Sequence, residues 1–312
     1  MARFVVKEAV REKVYPKINI AGAAGSGKTY GALLTAKGMA KEIKATTGRD
    51  AKILMGNTEA SRGRYYANEF TYDIADLEAP YNPELFIELI DYAVDNKYDI
   101  LIIDSSSHEW DGKGGCLELQ QQAGGTFQAW KKVTPRHSAF IDKIVSSPIT
   151  IIATSRSKAQ YEIEKDERGK ASVTKVGTGI HQREGYDYEF TCFFNIDVKS
   201  HMATAEKDNT HLFSNGDFMI TEQTGINIMR WANSSNIEPE KTRVTATDSQ
   251  TNTASLDEIK KQIVSKAVEL GGTKNKTLMD TIKEFVPSGN PNAIGDVETA
   301  QACLEKLNTI GG

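Results

Sequence analysis

Residues 18–29 read Ile-Asn-Ile-Ala-Gly-Ala-Ala-Gly-Ser-Gly-Lys-Thr, an apolar, β-branched run that ends in Gly22-x-x-x-x-Gly27-Lys28-Thr29. The alanine- and leucine-rich stretch from Gly31 to Ala40 then predicts a helix. A strand passing through a glycine loop straight into a helix is the opening of a βαβ unit, and this spacing is that of a phosphate-binding loop. Gly22, Gly25 and Gly27 allow the backbone to bend closely around an anion, so that successive N–H groups point inward. The positive end of the helix adds to that field. On this reading Gly22, Ala23, Ala24, Gly25, Ser26, Gly27, Lys28 and Thr29 bind a nucleoside triphosphate. Lys28 reaches the β- and γ-phosphates and the Thr29 hydroxyl is placed to ligate Mg²⁺.

The rest of the first two thirds of the chain keeps the same alternation. Buried strands are predicted at 51–57, 98–104 and 148–154, with amphipathic helices at 83–98 and 127–145 between them. That order predicts an α/β core with a mainly parallel sheet flanked by helices. From Gln160 the pattern changes. Residues 160–164 and 171–176 alternate around Asp166-Glu-Arg-Gly169 and predict a β-hairpin; strands at 188–197 and 201–206 and a closing helix at 221–232 follow. Residues 233–255 are rich in Ser, Thr, Asn and Gln, which predicts a linker. Residues 256–312 regain helical spacing, a small C-terminal helical segment expected to lack a deep core of its own. The expected domains are therefore 1–232, 233–255 and 256–312.

Asp104 closes the apolar run Tyr98-Asp-Ile-Leu-Ile-Ile, the context of the carboxylate that holds the Mg²⁺ shell in phosphate-loop enzymes. Ser105 follows it, where ring ATPases of the AAA+ type usually place their catalytic Glu. The residue that activates water must lie elsewhere, and Glu59 (in Gly56-Asn-Thr-Glu) and Glu109 (in Ser105-Ser-Ser-His-Glu) are the two candidates. Residues 156–183 carry seven Lys or Arg against four Asp or Glu, a local excess of three positive charges in a chain of net charge −4. Arg156, Lys158, Lys165, Arg168 and Lys170 are the candidate phosphate contacts of a nucleic-acid surface there, with Tyr161 able to stack on a base. Lys131, Lys132 and Arg136 form a second, weaker basic cluster.

The run Ile53-Leu-Met-Gly-Asn-Thr-Glu59, the pair Asp104-Ser105, and Thr150-Ile-Ile-Ala-Thr-Ser155 before a basic hairpin resemble the RecA-like core. More closely, residues 15–232 resemble phage-encoded RecA-like P-loop ATPases of the AAA-domain family found in recombination and single-strand-annealing modules. That resemblance implies a RecA-like fold and ATP hydrolysis with Mg²⁺. In that class the catalytic Glu ends the strand next to the phosphate-loop strand, which favours Glu59, and leaves Glu109 as a solvated loop carboxylate. It also implies that Thr154 and Ser155 sense the γ-phosphate, Ser155 counting among the nucleotide-binding residues, and that the hairpin binds single-stranded DNA. A basic residue near the glycine-flanked stretch 177–185, Arg183 before Lys175, would then reach the nucleotide of a neighbouring subunit in a homo-oligomeric ring or filament. A guanidinium suits that task because it stays charged and binds phosphate bidentately.

Composition adds exclusions. No apolar run approaches a membrane span, and the first residues lack the apolar core of a signal peptide. Cys116, Cys192 and Cys303 are too scattered for a disulfide framework or a metal knuckle and are expected to be buried thiols. The expected location is the cytoplasm, of the host cell if the chain is phage-encoded, with a single-strand-binding protein as a further partner. Two other classes stay open: a small-molecule kinase, against which stands the lack of an Arg-rich lid segment, and an assembly ATPase directed at protein. Stimulation of hydrolysis by single-stranded DNA separates the first class from both.

Overall fold

The computed structural model describes residues 8–165, 171–235, 249–272, 275–286 and 288–310; side chains at 158–165, 171–178, 249–258, 297, 298, 301, 305 and 308–310 fall outside that description. The chain divides into two compact units, Met1–Pro239 and Glu240–Gly312.

The first unit runs β1 (Lys17–Gly22), α1 (Lys28–Thr47), β2 (Ile53–Asn57), β3 (Asp73–Asp76), α2 (Pro83–Asp95), β4 (Ile100–Asp104), α3 (Ser107–Asp111), α4 (Cys116–Gln122), α5 (Trp130–Ser146), β5 (Thr150–Lys165), β6 (Ala171–Ile180), β7 (Cys192–Ile196), β8 (Ala203–Asp208) and α6 (Glu222–Ala232). The sheet order is β3-β2-β4-β5-β1-β7-β8, with β6 paired to β5. All pairings are parallel except β7–β8 and β5–β6. This is an α/β core, a mostly parallel sheet with helices on both faces.

Strands covered on both faces are apolar at nearly every position, which is why they read as continuous runs rather than alternations. Ile18, Ile20, Ile102 and Ile152 face one way and pack with Leu33, Met39 and Ile228 of α1 and α6. Their neighbours Leu101, Ile103, Ile151 and Ala153 face the other way, onto Phe86, Ile90, Phe140 and Ile144 of α2 and α5. Helices α1 and α6 cross almost backbone to backbone. A Cβ on Gly38 would stand 1.9 Å from the Glu222 carbonyl oxygen, and one on Gly225 would stand 2.0 Å from that of Thr35.

Two sequence expectations need correction. The strand that leads to Glu59, β2, is not next to β1: β5 and β4 lie between them, and β2 adjoins Asp104's strand instead. The 233–255 linker is also too long. Helix α7 (Ser249–Glu269) begins inside it, while residues 236–248 lie outside the described ones. The second unit, with α8 (Lys276–Phe285) and α9 (Val297–Ile310), has a small core after all, in which Ile263, Leu278, Ile282, Ile294, Cys303 and Leu307 are buried.

Lys17 opens β1 from a buried position, its ammonium donating to the Ser147 carbonyl (2.8 Å), the Ser147 hydroxyl (3.1 Å) and the Ile149 carbonyl. No carboxylate is among these partners, and burial pushes its pKa down to about 7. At this group the unfolded chain therefore binds more protons than the folded one between about pH 7 and the free-lysine value of 10.5, so the Lys17 contribution to stability rises with pH across that window. Trp110, Trp130 and Trp231, the three tryptophans, all lie in the first unit and report its unfolding. Urea titrations followed by their fluorescence should show the stability of wild type relative to Lys17→Met rising by about 2–4 kcal/mol between pH 7 and pH 10.

Candidate functional site

The phosphate loop spans the turn from β1 into α1. Gly25 and Gly27 sit in the left-handed region (φ +80° and +99°), which a side chain strains to adopt. A Cβ built on Gly25 meets nothing within 4 Å, so the loop's mouth is open at that point. Gly22 is different: a Cβ there would lie 2.3 Å from the Ser26 hydroxyl and 3.0 Å from the Ile196 carbonyl oxygen. Gly27 caps α1 without any side-chain hydrogen bond, and no acidic residue occupies the helix's first turn. The first N–H groups therefore keep their positive end for a ligand. The Ser26 hydroxyl is buried without a hydrogen-bond partner. Lys28 bends back to donate to the Ala23 carbonyl at 2.9 Å. Burial lowers its pKa, while the Asp104 and Glu59 carboxylates pull the other way.

Asp104, at the end of β4, is almost fully buried and is held by two hydroxyls. Thr29 donates to Oδ2 at 2.6 Å and Thr154 to Oδ1 at 2.5 Å. Burial pushes its pKa up, and the hydroxyl bonds offset this only in part. A buried carboxylate against a loop threonine is the donor set that suits a hard divalent cation. The residues present fit Mg²⁺·ATP, with Thr29 and Asp104 to hold the ion and Lys28 with the loop N–H groups to hold the phosphates. The ion would supply charge neutralisation at the phosphoryl oxygens.

Glu59 follows β2 and is fixed by its surroundings. Asn57 accepts from the Glu59 N–H (3.1 Å) and donates to Asp76 (2.9 Å). Thr58 straps β2 to β4 by donating its N–H to the Asp104 carbonyl (2.8 Å) and accepting from the Ser105 N–H (2.8 Å). The Glu59 carboxylate receives Arg156 on Oε1 (2.5 Å) and Arg62 on Oε2 (3.3 Å). Burial alone would raise its pKa, but Arg156 above all, with His108 and Arg62, holds it below the ordinary carboxylate range. Sequence reasoning missed both pairings, having assigned Arg156 to nucleic acid. It also missed that Arg156 and Lys28 face the same carboxylate in one chain. Strand pairing carried the signal: Arg156 lies opposite Gly22, where β5 leaves β1.

Glu109 is not a solvated loop carboxylate. It sits on α3, fully buried, and accepts from the Cys116 thiol (3.0 Å), His137 Nδ1 (3.0 Å) and the Gln182 amide (3.3 Å). Its lone pairs are committed to tying α3, α4 and α5 to the segment after β6, which leaves Glu59 as the carboxylate at the nucleotide motifs. Cys116, Cys192 and Cys303 are buried and free, as expected.

Ser155 and Thr154 face opposite ways, as successive strand residues must. Thr154 reaches Asp104, whereas the Ser155 hydroxyl donates to Asn19 (2.7 Å) and meets Ser106 (3.1 Å) beneath the site. Ser155 is thus turned away from the carboxylate cluster. Arg183 is half-buried and lines a groove of about 640 Å³ with Lys131 and the stacked pair Trp110–Trp130; among the described residues it is not hydrogen-bonded to Lys28, Glu59 or Asp104. Arg136 of the second basic cluster is paired with Glu84. The side chains of Lys158, Lys165 and Lys175 lie outside the described residues, as do Arg168 and Lys170 altogether.

A glycine loop at the end of β1, a buried Asp two strands away and a Thr on the strand between define a P-loop nucleotide hydrolase core. Residues 15–225 match the AAA domain family, and the chain belongs to that family of P-loop ATPases. Among curated proteins none matches the chain.

Lys28→Ala should abolish tight ATP binding by calorimetry, whereas Glu59→Gln should bind ATP and hydrolyse it about 10²–10⁴ more slowly. Glu109→Ala should instead leave ATP affinity intact and lower the unfolding free energy by about 1–3 kcal/mol, because three buried donors lose their acceptor. Normal hydrolysis in Glu59→Gln would remove Glu59 as the base.

Proposed function

We propose that the protein is a Mg²⁺-dependent ATPase of the cytoplasm that binds single-stranded DNA and promotes phage DNA recombination by annealing or strand exchange. One observation carries the reading. Strand β5 passes Asp104 through Thr154, gives Arg156 to Glu59, and continues, past a register shift between Gln160 and Tyr161, to Lys165 as the first arm of the β5–β6 hairpin. The sequence of that hairpin holds the excess of basic residues. Phosphate contact along it would act on the strand that positions the γ-phosphate side of the site, so that hydrolysis and DNA hold are linked mechanically. The basic character of the sequence over residues 156–183 supports single-stranded DNA as the partner over a small metabolite.

In the proposed reaction Lys28 and the loop N–H groups bind and orient the triphosphate. Glu59 takes a proton from the attacking water once its carboxylate is freed from Arg156. The released guanidinium is then available to the charge that spreads over the γ-phosphoryl oxygens. Arg183 supplies a second cation across a subunit boundary in a homo-oligomer, and a single-strand-binding protein is a fitting further partner.

ATP turnover should rise on adding single-stranded DNA, and DNA affinity should fall with salt. Replacing Lys165, Arg168 and Lys170 together by Ala should reduce the log–log salt slope by about 0.7 per lost phosphate contact. Absence of stimulation, with an unchanged slope in the triple variant, would leave an ATPase whose partner is not DNA. Mixing Arg183→Ala with Glu59→Gln subunits should restore part of the hydrolysis, because mixed interfaces pair an intact Glu59 with an intact Arg183. No rescue, together with turnover per subunit that is independent of protein concentration, would describe a self-sufficient monomer.

A further inference from the structure

The strand order fixes which way a nucleotide must run. Thr154, Asp104 and Glu59, the groups suited to the γ-phosphate and its cation, stand on β5, on β4 and just past β2, all to one side of β1. A triphosphate with its γ end there has its nucleoside end on the other side, over β7 and β8. The turn joining those two strands, residues 197–202, approaches the loop from that side. The Ile196 carbonyl would lie 3.0 Å from a Cβ on Gly22, and His201 Nδ1 would lie 4.0 Å from one on Gly27.

The turn is built rather than slack. Asp197 accepts from the Lys199 N–H (3.0 Å), the Ser200 N–H (2.8 Å) and the Ser200 hydroxyl (3.0 Å), and its backbone closes onto Met202 and His201 at 2.9 Å each. His201 is exposed and sits at φ +56°, a conformation that histidine adopts less readily than glycine or asparagine. Its ring spans to the phosphate loop, where Nδ1 lies 3.0 Å from the Ser26 carbonyl oxygen. A carbonyl only accepts, so Nδ1 carries the proton, and in the neutral ring Nε2 is an unprotonated acceptor. Val198, 42% exposed, adds apolar surface on the same turn.

We infer that His201 reads the base of the bound nucleotide, its Nε2 accepting from the amine at the 6-position of the purine and so favouring adenine over guanine. Adenine offers its N6 amine as a donor at that edge, whereas guanine offers the O6 acceptor, which would face the Nε2 lone pair. Ser26 and His201 thus form one device, in which the loop that holds the phosphates also sets the tautomer that selects the base. The inference rests on the nucleotide-binding reading of that loop and adds the base to it.

His201→Asn separates base reading from bracing. Its amide nitrogen occupies the place of Nδ1 and keeps the bond to Ser26, asparagine tolerates the left-handed backbone, and the acceptor at Nε2 is gone. Calorimetry on the full chain would measure non-hydrolysable ATP and GTP analogues and inorganic tripolyphosphate, each with Mg²⁺. Wild type should prefer the ATP analogue. His201→Asn should lose roughly three- to tenfold of that preference, the worth of one hydrogen bond, with tripolyphosphate affinity unchanged. An unchanged ATP-to-GTP ratio in the variant overturns the inference, and so does equal binding of the two analogues by wild type, while nucleotide binding itself stands. Failure of wild type to bind either analogue or tripolyphosphate overturns the nucleotide reading with it.

Discussion

The site turns on one buried carboxylate. Asp104 is almost fully buried, and the fold holds it with two hydroxyls, from Thr29 at the start of α1 and Thr154 on β5. Those bonds fix three elements at one point: the helix that follows the phosphate loop, the strand that carries the carboxylate, and the strand between β1 and β4. Burial pushes the Asp104 pKa up, which makes the ionised form costly until a cation arrives.

Glu59 is the opposite case. It is partly exposed and held by two guanidiniums, which keep its pKa below the ordinary carboxylate range. Because Arg156 lies at the point where β5 leaves the sheet for its hairpin, whatever moves the hairpin moves the guanidinium. A network of small polar residues runs beneath this junction. Ser106 accepts from the Gln182 amide through its carbonyl and meets Ser155 through its hydroxyl, and Gln182 also reaches Glu109. The return strand of the hairpin is thus tied to α3 and, through His137, to α5. Both ends of the hairpin are anchored in the polar layer under the nucleotide motifs.

How much of this was legible in the sequence depended on whether a signal was local. The phosphate loop is a contiguous run, and Asp104 ends a contiguous apolar strand, so both could be placed from residues alone. The hairpin was legible because alternation resumes on either side of Asp166-Glu-Arg-Gly169. What failed was every feature set by strand order. Nothing in a single strand says that β5 is inserted between β1 and β4, and that insertion decides that Thr154, not Ser155, meets Asp104. It also brings Arg156 to Glu59. Glu109 misled for a related reason: its neighbours Ser105, Ser106, Ser107 and His108 read as a polar loop, yet each is satisfied inside the fold, and Cys116, His137 and Gln182 come to it from elsewhere in the chain.

The second unit was misjudged on size alone. Few residues remain for it, yet α7, α8 and α9 bury Ile263, Leu278, Ile282 and Leu307 among themselves. Asn275 caps α8 by accepting from the Leu278 N–H at 3.2 Å, which places Leu278 on the inward face at the first turn. A helix start fixed by a cap and a face fixed by period 3.6 are enough to assemble a three-helix core without a long chain. The basic β5–β6 hairpin and this helical unit are the two parts of the chain that the nucleotide chemistry does not require. The hairpin is joined to the Glu59 carboxylate through Arg156, so its sequence is constrained by that pairing as well as by any partner. The helical unit, with its own core, is free of that constraint, and its outer surface can follow whatever it binds.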